Sequence, residues 1–113
     1  MMAKLHISPE ARDDLRGIKE YITTELVSPI AAVNTVSNIS KAIRGLADFP
    51  ARGVPLSSIV ELPNDYRFLV CGNYMVFYRH EGDDIYVARV LYGRRDYMKI
   101  LFGDTTDGNE PAE

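Results

Sequence analysis

NYMVFYRHEGDDIYVARVLYGRRDY, the stretch from Asn73 to Tyr97, decides the fold. It divides into two runs, Tyr74 to His80 and Asp84 to Tyr92, separated by the polar turn Glu81-Gly82-Asp83. Both runs are dense in β-branched and aromatic residues, which pack well on a pleated surface, so both read as strands. Immediately upstream, Tyr66 to Cys71 is a third such run. Only Gly72-Asn73 separates it from the next, a short-hairpin signal. The three runs predict an antiparallel meander. Its last strand ends at Gly93 and opens onto an adjacent basic pair, Arg94-Arg95.

Towards the N-terminus, Lys4 to Ile7 alternates apolar and polar residues and predicts a short first strand. Ser8-Pro9 then supplies an N-cap followed by a proline at the first helical position. Glu10, Asp13 and Asp14 fall in the first turns, where the helix dipole favours acids. Ala11, Leu15, Ile18, Ile22 and Leu26 make one apolar stripe at helical spacing. Ser28-Pro29 repeats the start signal, and Ala32, Val36, Ile39, Ile43 and Leu46 make a second stripe ending before Pro50. A short connection forces the two helices to lie antiparallel, giving a helical hairpin over residues 9–48. Residues 50–65 hold three prolines and a glycine and predict irregular structure. The expected class is α+β: an N-terminal strand, a two-helix antiparallel hairpin and a three-stranded antiparallel meander. A short element over Asp96 to Phe102 is expected to finish it.

With two-residue turns at Gly72-Asn73 and Gly82-Asp83, alternation assigns the faces of the meander. One face would carry Arg67, Leu69, Cys71, Tyr74, Val76, Tyr78, Ile85, Val87, Arg89 and Leu91. The other would carry Tyr66, Phe68, Val70, Met75, Phe77, Arg79, Tyr86, Ala88, Val90 and Tyr92. Neither face is polar, whereas a one-sided antiparallel sheet alternates apolar inward and polar outward. Two helices cover one face only. The remaining apolar face therefore predicts a docked partner, a homodimer or a hetero-oligomer.

A chain of 113 residues is the size of one domain. The expected division is a single domain over residues 1–102 and an acidic tail over 103–113. That tail, GDTTDGNEPAE, holds four acids and no base. The net charge of −3 belongs to it, since the rest carries 13 bases against 12 acids. No run of about 18 apolar residues is present, so no membrane partner is expected. No secretory signal is apparent either, and a single cysteine suits a reducing compartment, so the expected location is cytoplasmic.

Metal ligation and cofactor binding find little support. His6, His80 and Cys71 stand at no ligand spacing, and no phosphate-binding or dinucleotide fingerprint occurs. No cofactor is expected. Arginines carry more: residues 66–102 hold six bases against four acids. Guanidinium forks bind phosphates bidentately, and neighbouring tyrosines stack on bases. Metal-free RNA cleavage needs little beyond such groups, and Arg67, Arg95 and Tyr97 are the candidates for it. The plainer alternative for Arg79 and Arg89 is a solvated ion pair of small energetic value.

With its helices in front, the Tyr-x-x-Phe-Tyr-Arg strand, the Gly-Asp turn and the Val-Leu-Tyr-Gly-Arg-Arg-Asp ending resemble the RelE/ParE superfamily of bacterial toxins from type II toxin–antitoxin pairs. The ParE-like branch is the better match. RelE-like endoribonucleases carry an arginine directly after the tyrosine that opens the middle strand, where this chain has Met75. The resemblance implies a toxin that binds DNA gyrase and stalls it on cleaved DNA, with Arg94, Arg95 and Tyr97 engaging the target. It also implies a cognate antitoxin, expected over Leu69, Val76, Tyr78, Val87 and Leu91. The alternative it implies is a ribosome-dependent mRNA endoribonuclease.

Overall fold

The structure is a computed structural model that describes residues 3–103; the acidic tail lies, apart from Gly103, outside the described residues. Strand β1 spans Lys4–Ile7 and helix α1 spans Pro9–Thr24, followed by α2 over Pro29–Gly45. Two 3-10 turns and a two-residue strand, β2 (Val54–Pro55), occupy the proline-rich stretch. The meander is β3 (Arg67–Cys71), β4 (Tyr74–Glu81) and β5 (Asp84–Tyr92), and a six-residue helix, α3 (Tyr97–Phe102), follows. The sheet order is β1-β5-β4-β3-β2. All pairings are antiparallel except β1, which runs parallel to β5 from Lys4↔Asp84 to Ile7↔Val87.

Both Ser-Pro signals act as predicted. The Ser8 hydroxyl accepts from the Ala11 N–H at 2.9 Å while donating to the Ala88 carbonyl at 2.7 Å, so one side chain starts α1 and ties it to β5. Ser28 accepts from Ala31 at 3.3 Å. Leu26, assigned to the first stripe, lies beyond the end of α1 and is exposed. Val27 follows with φ of 49°, a left-handed conformation that a β-branched side chain resists.

Both hairpin turns are two residues long: Cys71 pairs with Tyr74 across Gly72-Asn73, and Glu81 pairs with Asp84 across Gly82-Asp83. Gly72 and Gly82 take φ of +60° and +59°, which glycine adopts without steric cost. The predicted faces nevertheless fail beyond the middle of β5. Phe77 pairs with Arg89 but Tyr78 pairs with Val87, so β5 carries an extra residue, a β-bulge. One inserted residue reverses the alternation beyond it. Val90, not Leu91, therefore joins Val76, Tyr78, Ile85 and Val87 beneath the helices.

Leu91 instead joins a second core on the opposite face with Leu56, Phe68 and Phe77. Tyr97, Ile100, Leu101 and Phe102 of α3 pack over it, with Val60, Tyr66 and Met75. The expectation of an uncovered sheet face is thus corrected. A six-residue helix and the 56–60 segment cover the middle of that face, leaving Val70 and Tyr86 exposed at its margins.

A tyrosine locks the irregular segment onto the sheet. The fully buried Tyr78 hydroxyl accepts from the Gly53 N–H at 2.8 Å and donates to the Pro50 carbonyl at 2.7 Å. A Cβ on Gly53 would stand 2.6 Å from that oxygen, so only glycine fits there. Arg67 adds a bond to the Gly53 carbonyl at 2.7 Å.

Candidate functional site

The turn between β3 and β4 lies beside the exit of β5, because Tyr74 pairs with Tyr92 and the Gly93 N–H donates to the Asn73 carbonyl at 2.8 Å. The chain then turns tightly. The Arg95 N–H returns to the Tyr92 carbonyl at 2.9 Å, and the Tyr97 N–H to the Arg95 carbonyl at 2.8 Å. This fixes the backbone under Arg94 and Arg95 while leaving both side chains exposed. Neither has a carboxylate partner among the described residues. Asp96 instead caps α3, accepting from the Lys99 N–H at 3.2 Å.

A cleft of about 450 Å³ opens between the end of α1 and this corner, lined by Tyr21, Leu26, Asn73, Tyr74, Tyr92 and Arg95. Tyr74 and Tyr92 meet edge to face, 5.9 Å between ring centres. Burial, with Tyr21 and Tyr92 alongside, raises the Tyr74 hydroxyl above the usual tyrosine value, so the ring stays neutral. A second depression of about 240 Å³ shares Asn73, Tyr74 and Tyr92 with it and is lined also by Arg94. The tyrosines were not singled out by sequence. The one local signal was aromatic density at the two ends of the meander, and strand propensity explains that equally well.

Tyr97 does not stand with the arginines. Its ring packs on Phe77, 5.2 Å between centres, against the second core. Arg67 is engaged with the carbonyls of Gly53 and Ala51, and its strand neighbour Tyr78 lies under the helices. Arg67, Arg95 and Tyr97 are therefore held in three different surroundings: a loop clamp, an open corner and an apolar core. Met75, half-buried, packs against that same core.

The residues expected to receive an antitoxin are displaced inward. Val76 and Tyr78 are 0% exposed, Val87 1% and Leu91 2%, and Leu69 packs against the helix-side core. Alternation predicts two apolar faces, and the chain's own elements cover most of both. Large apolar side chains are exposed instead around the tip of the helical hairpin: Leu26 at 57%, Val27 at 79%, Ile30 at 77% and Val33 at 57%.

The other candidates resolve structurally. Arg89 donates to both carboxylate oxygens of Asp14, at 2.7 and 2.8 Å, and Asp14 also accepts from the Val90 N–H at 2.9 Å. That carboxylate closes the edge of β5 beyond the end of β1, and it further raises the Arg89 guanidinium, which is charged throughout. Arg79 pairs with Glu81 and approaches Asp65 at 3.6 Å. Burial pushes the Cys71 thiol up, which disfavours a nucleophilic thiolate. His6 binds Asp84 at 2.8 Å and stacks on Tyr86, and His80 is exposed. Among the described residues no group of three or more His, Cys, Asp or Glu gathers to hold a metal, and no helix is long and apolar enough to cross a membrane.

The family model of the ParE toxin of type II toxin–antitoxin systems, parDE, matches residues 5–97. Among solved structures, a chain of the chromosomal ParDE toxin–antitoxin system from P. aeruginosa superposes with a TM-score of 0.67 at 22% identity, covering 80% of this chain and 96% of that one. A chain of the RelBE2 toxin–antitoxin complex from Mycobacterium tuberculosis superposes with a TM-score of 0.56 at 18% identity, covering 81% and 92%. At such identities these likenesses speak for the fold. No curated protein sequence matches the chain.

Proposed function

Because the chain belongs to the ParE toxin family of type II toxin–antitoxin systems, we propose that it arrests growth by binding DNA gyrase in the cytoplasm and stalling it on cleaved DNA. The observation that carries this reading is the corner at Arg94 and Arg95. Two adjacent cations stand exposed on a fixed backbone, neither in an ion pair with a carboxylate of the described residues. Such a pair attracts an acidic protein surface or a nucleic-acid backbone, and gains most where water is excluded. Tyr97 follows them in the chain and packs on Phe77, anchoring the far side of the corner to the second core. The reading as a ribosome-dependent nuclease has less to stand on. Its three groups serve separate surroundings, and Met75 offers an apolar thioether where a phosphate would need a cation.

A cognate antitoxin is the second part of the proposal. We put its docking surface on Leu26, Val27, Ile30 and Val33, exposed apolar residues that follow closely along the chain at the tip of the helical hairpin. The test is a supercoiling and DNA-cleavage assay with purified gyrase, run beside an mRNA cleavage assay on translating ribosomes. Gyrase-dependent linear DNA is expected, and Arg94→Ala with Arg95→Ala should abolish both it and growth arrest without lowering thermal stability. Cut mRNA with untouched supercoiling refutes the gyrase reading.

A further inference from the structure

The two depressions at the end of the sheet have a common construction. Both are lined by the Tyr74–Tyr92 pair and by Asn73, and each has one arginine in its lining, Arg95 in the larger and Arg94 in the smaller. Tyr21, 53% exposed, forms the far wall of the larger cleft, and Tyr92 is 41% exposed. No carboxylate lines either depression. A volume of about 450 Å³ lies within the range of pockets that receive small ligands, roughly 300–1,000 Å³.

We propose that this tyrosine ridge and its two flanking arginines form a binding site for single-stranded DNA, with bases stacked on Tyr92 and Tyr21 and successive phosphates held by Arg95 and Arg94. An apolar ligand would leave the arginines without purpose, and a simple anion would leave the tyrosines so. A nucleotide strand alternates a flat π-face with a fixed negative charge and so uses both. Tyrosine stacking tolerates any base, and the Asn73 amide both donates and accepts, so little sequence preference is expected. Duplex DNA hides its base faces within the stack and is excluded from the ridge. The choice of DNA over RNA rests on the proposed function, in which the target acts on DNA; the site itself is argued from its residues alone.

The experiment measures fluorescence anisotropy of a labelled ten-residue oligothymidylate with the purified toxin, without gyrase. Binding at low salt is expected, weaker for the same sequence as duplex, and weakened by salt. The chain holds no tryptophan, so tyrosine emission reports stacking directly and should be quenched on binding. Tyr92→Ala is expected to weaken binding about tenfold, the loss of one stacked base, and Tyr92→Phe to restore it to within about twofold. Arg95→Ala is expected to flatten the slope of log affinity against log salt by about 0.7, one phosphate contact on a single strand. Binding unchanged by Tyr92→Ala, equal binding of duplex, or no binding at all overturns the site. Oligouridylate held tenfold tighter than oligothymidylate overturns the assignment to DNA. Gyrase poisoning without oligonucleotide binding leaves the proposed function standing and removes this inference, and the converse result does the opposite.

Discussion

Replacing Tyr78 with Phe removes one oxygen from the centre of the molecule and leaves its ring in place. That oxygen holds two bonds at once, from the Gly53 N–H at 2.8 Å and to the Pro50 carbonyl at 2.7 Å. Gly53 is buried, so its N–H loses its partner with no access to water; Pro50 is half-buried and its carbonyl can be rehydrated in part. An unsatisfied buried donor costs about 1–3 kcal/mol, and the partly solvated carbonyl adds a few tenths. A loss of about 2 kcal/mol follows. At about 2.1 cal/mol/K of unfolding entropy per residue, a domain of this size then melts roughly 8–10 °C lower. Thermal unfolding followed by far-UV circular dichroism measures it, with the exposed Tyr86→Phe as control, expected to change stability by less than about 0.5 kcal/mol. The same hydroxyl also carries a pH signature. Burial raises it above the usual 10.0, so the folded state keeps the proton more tightly than the unfolded chain. Stability is therefore complete below pH 10 and declines as pH rises beyond it, and Tyr78→Phe should flatten that decline. A variant melting within 2 °C of the native protein would refute the clamp.

Asp14→Ala leaves the Arg89 guanidinium and the Val90 N–H without their partner, for about 2–3 kcal/mol by urea unfolding, the usual cost of breaking a buried pair being lowered because the Arg89 side chain is 26% exposed. Asp13→Ala, whose pair with Arg16 is in solvent, should cost under about 0.5 kcal/mol. Val27→Gly should stabilise the hairpin by about 1 kcal/mol in the same assay, since a φ of 49° strains valine and not glycine; a loss of stability would show that the valine side chain holds the connection in place. Ile30→Asp, at 77% exposure, should weaken the antitoxin complex at least about tenfold by calorimetry with the melting temperature nearly unchanged. An unaltered affinity would move the docking surface elsewhere.

The sequence by itself determined the elements. Ser8-Pro9 and Ser28-Pro29 started both helices where they begin, because capping and proline geometry act within one turn of chain. Gly72-Asn73 and Gly82-Asp83 set both hairpins, since the left-handed glycine each requires is a local demand. The Arg94-Arg95 corner was legible for the same reason, being defined by where a strand stops. Whatever depended on distant partners was decided by the tertiary structure alone. The parallel pairing of β1 with β5 joins residues some eighty apart, and nothing in Lys4 to Ile7 specifies its neighbour. The bulge in β5 exchanges Leu91 for Val90 beneath the helices, yet both are apolar and β-compatible, so their order is silent. The second core forms because α3 folds back over Phe77, which turns a face that reads as open into an interior. The cleft exists only because Tyr21, on a helix, comes to rest beside Tyr74 and Tyr92. Conformational preference is encoded residue by residue, but burial belongs to pairs of surfaces, and only the folded chain brings those surfaces together.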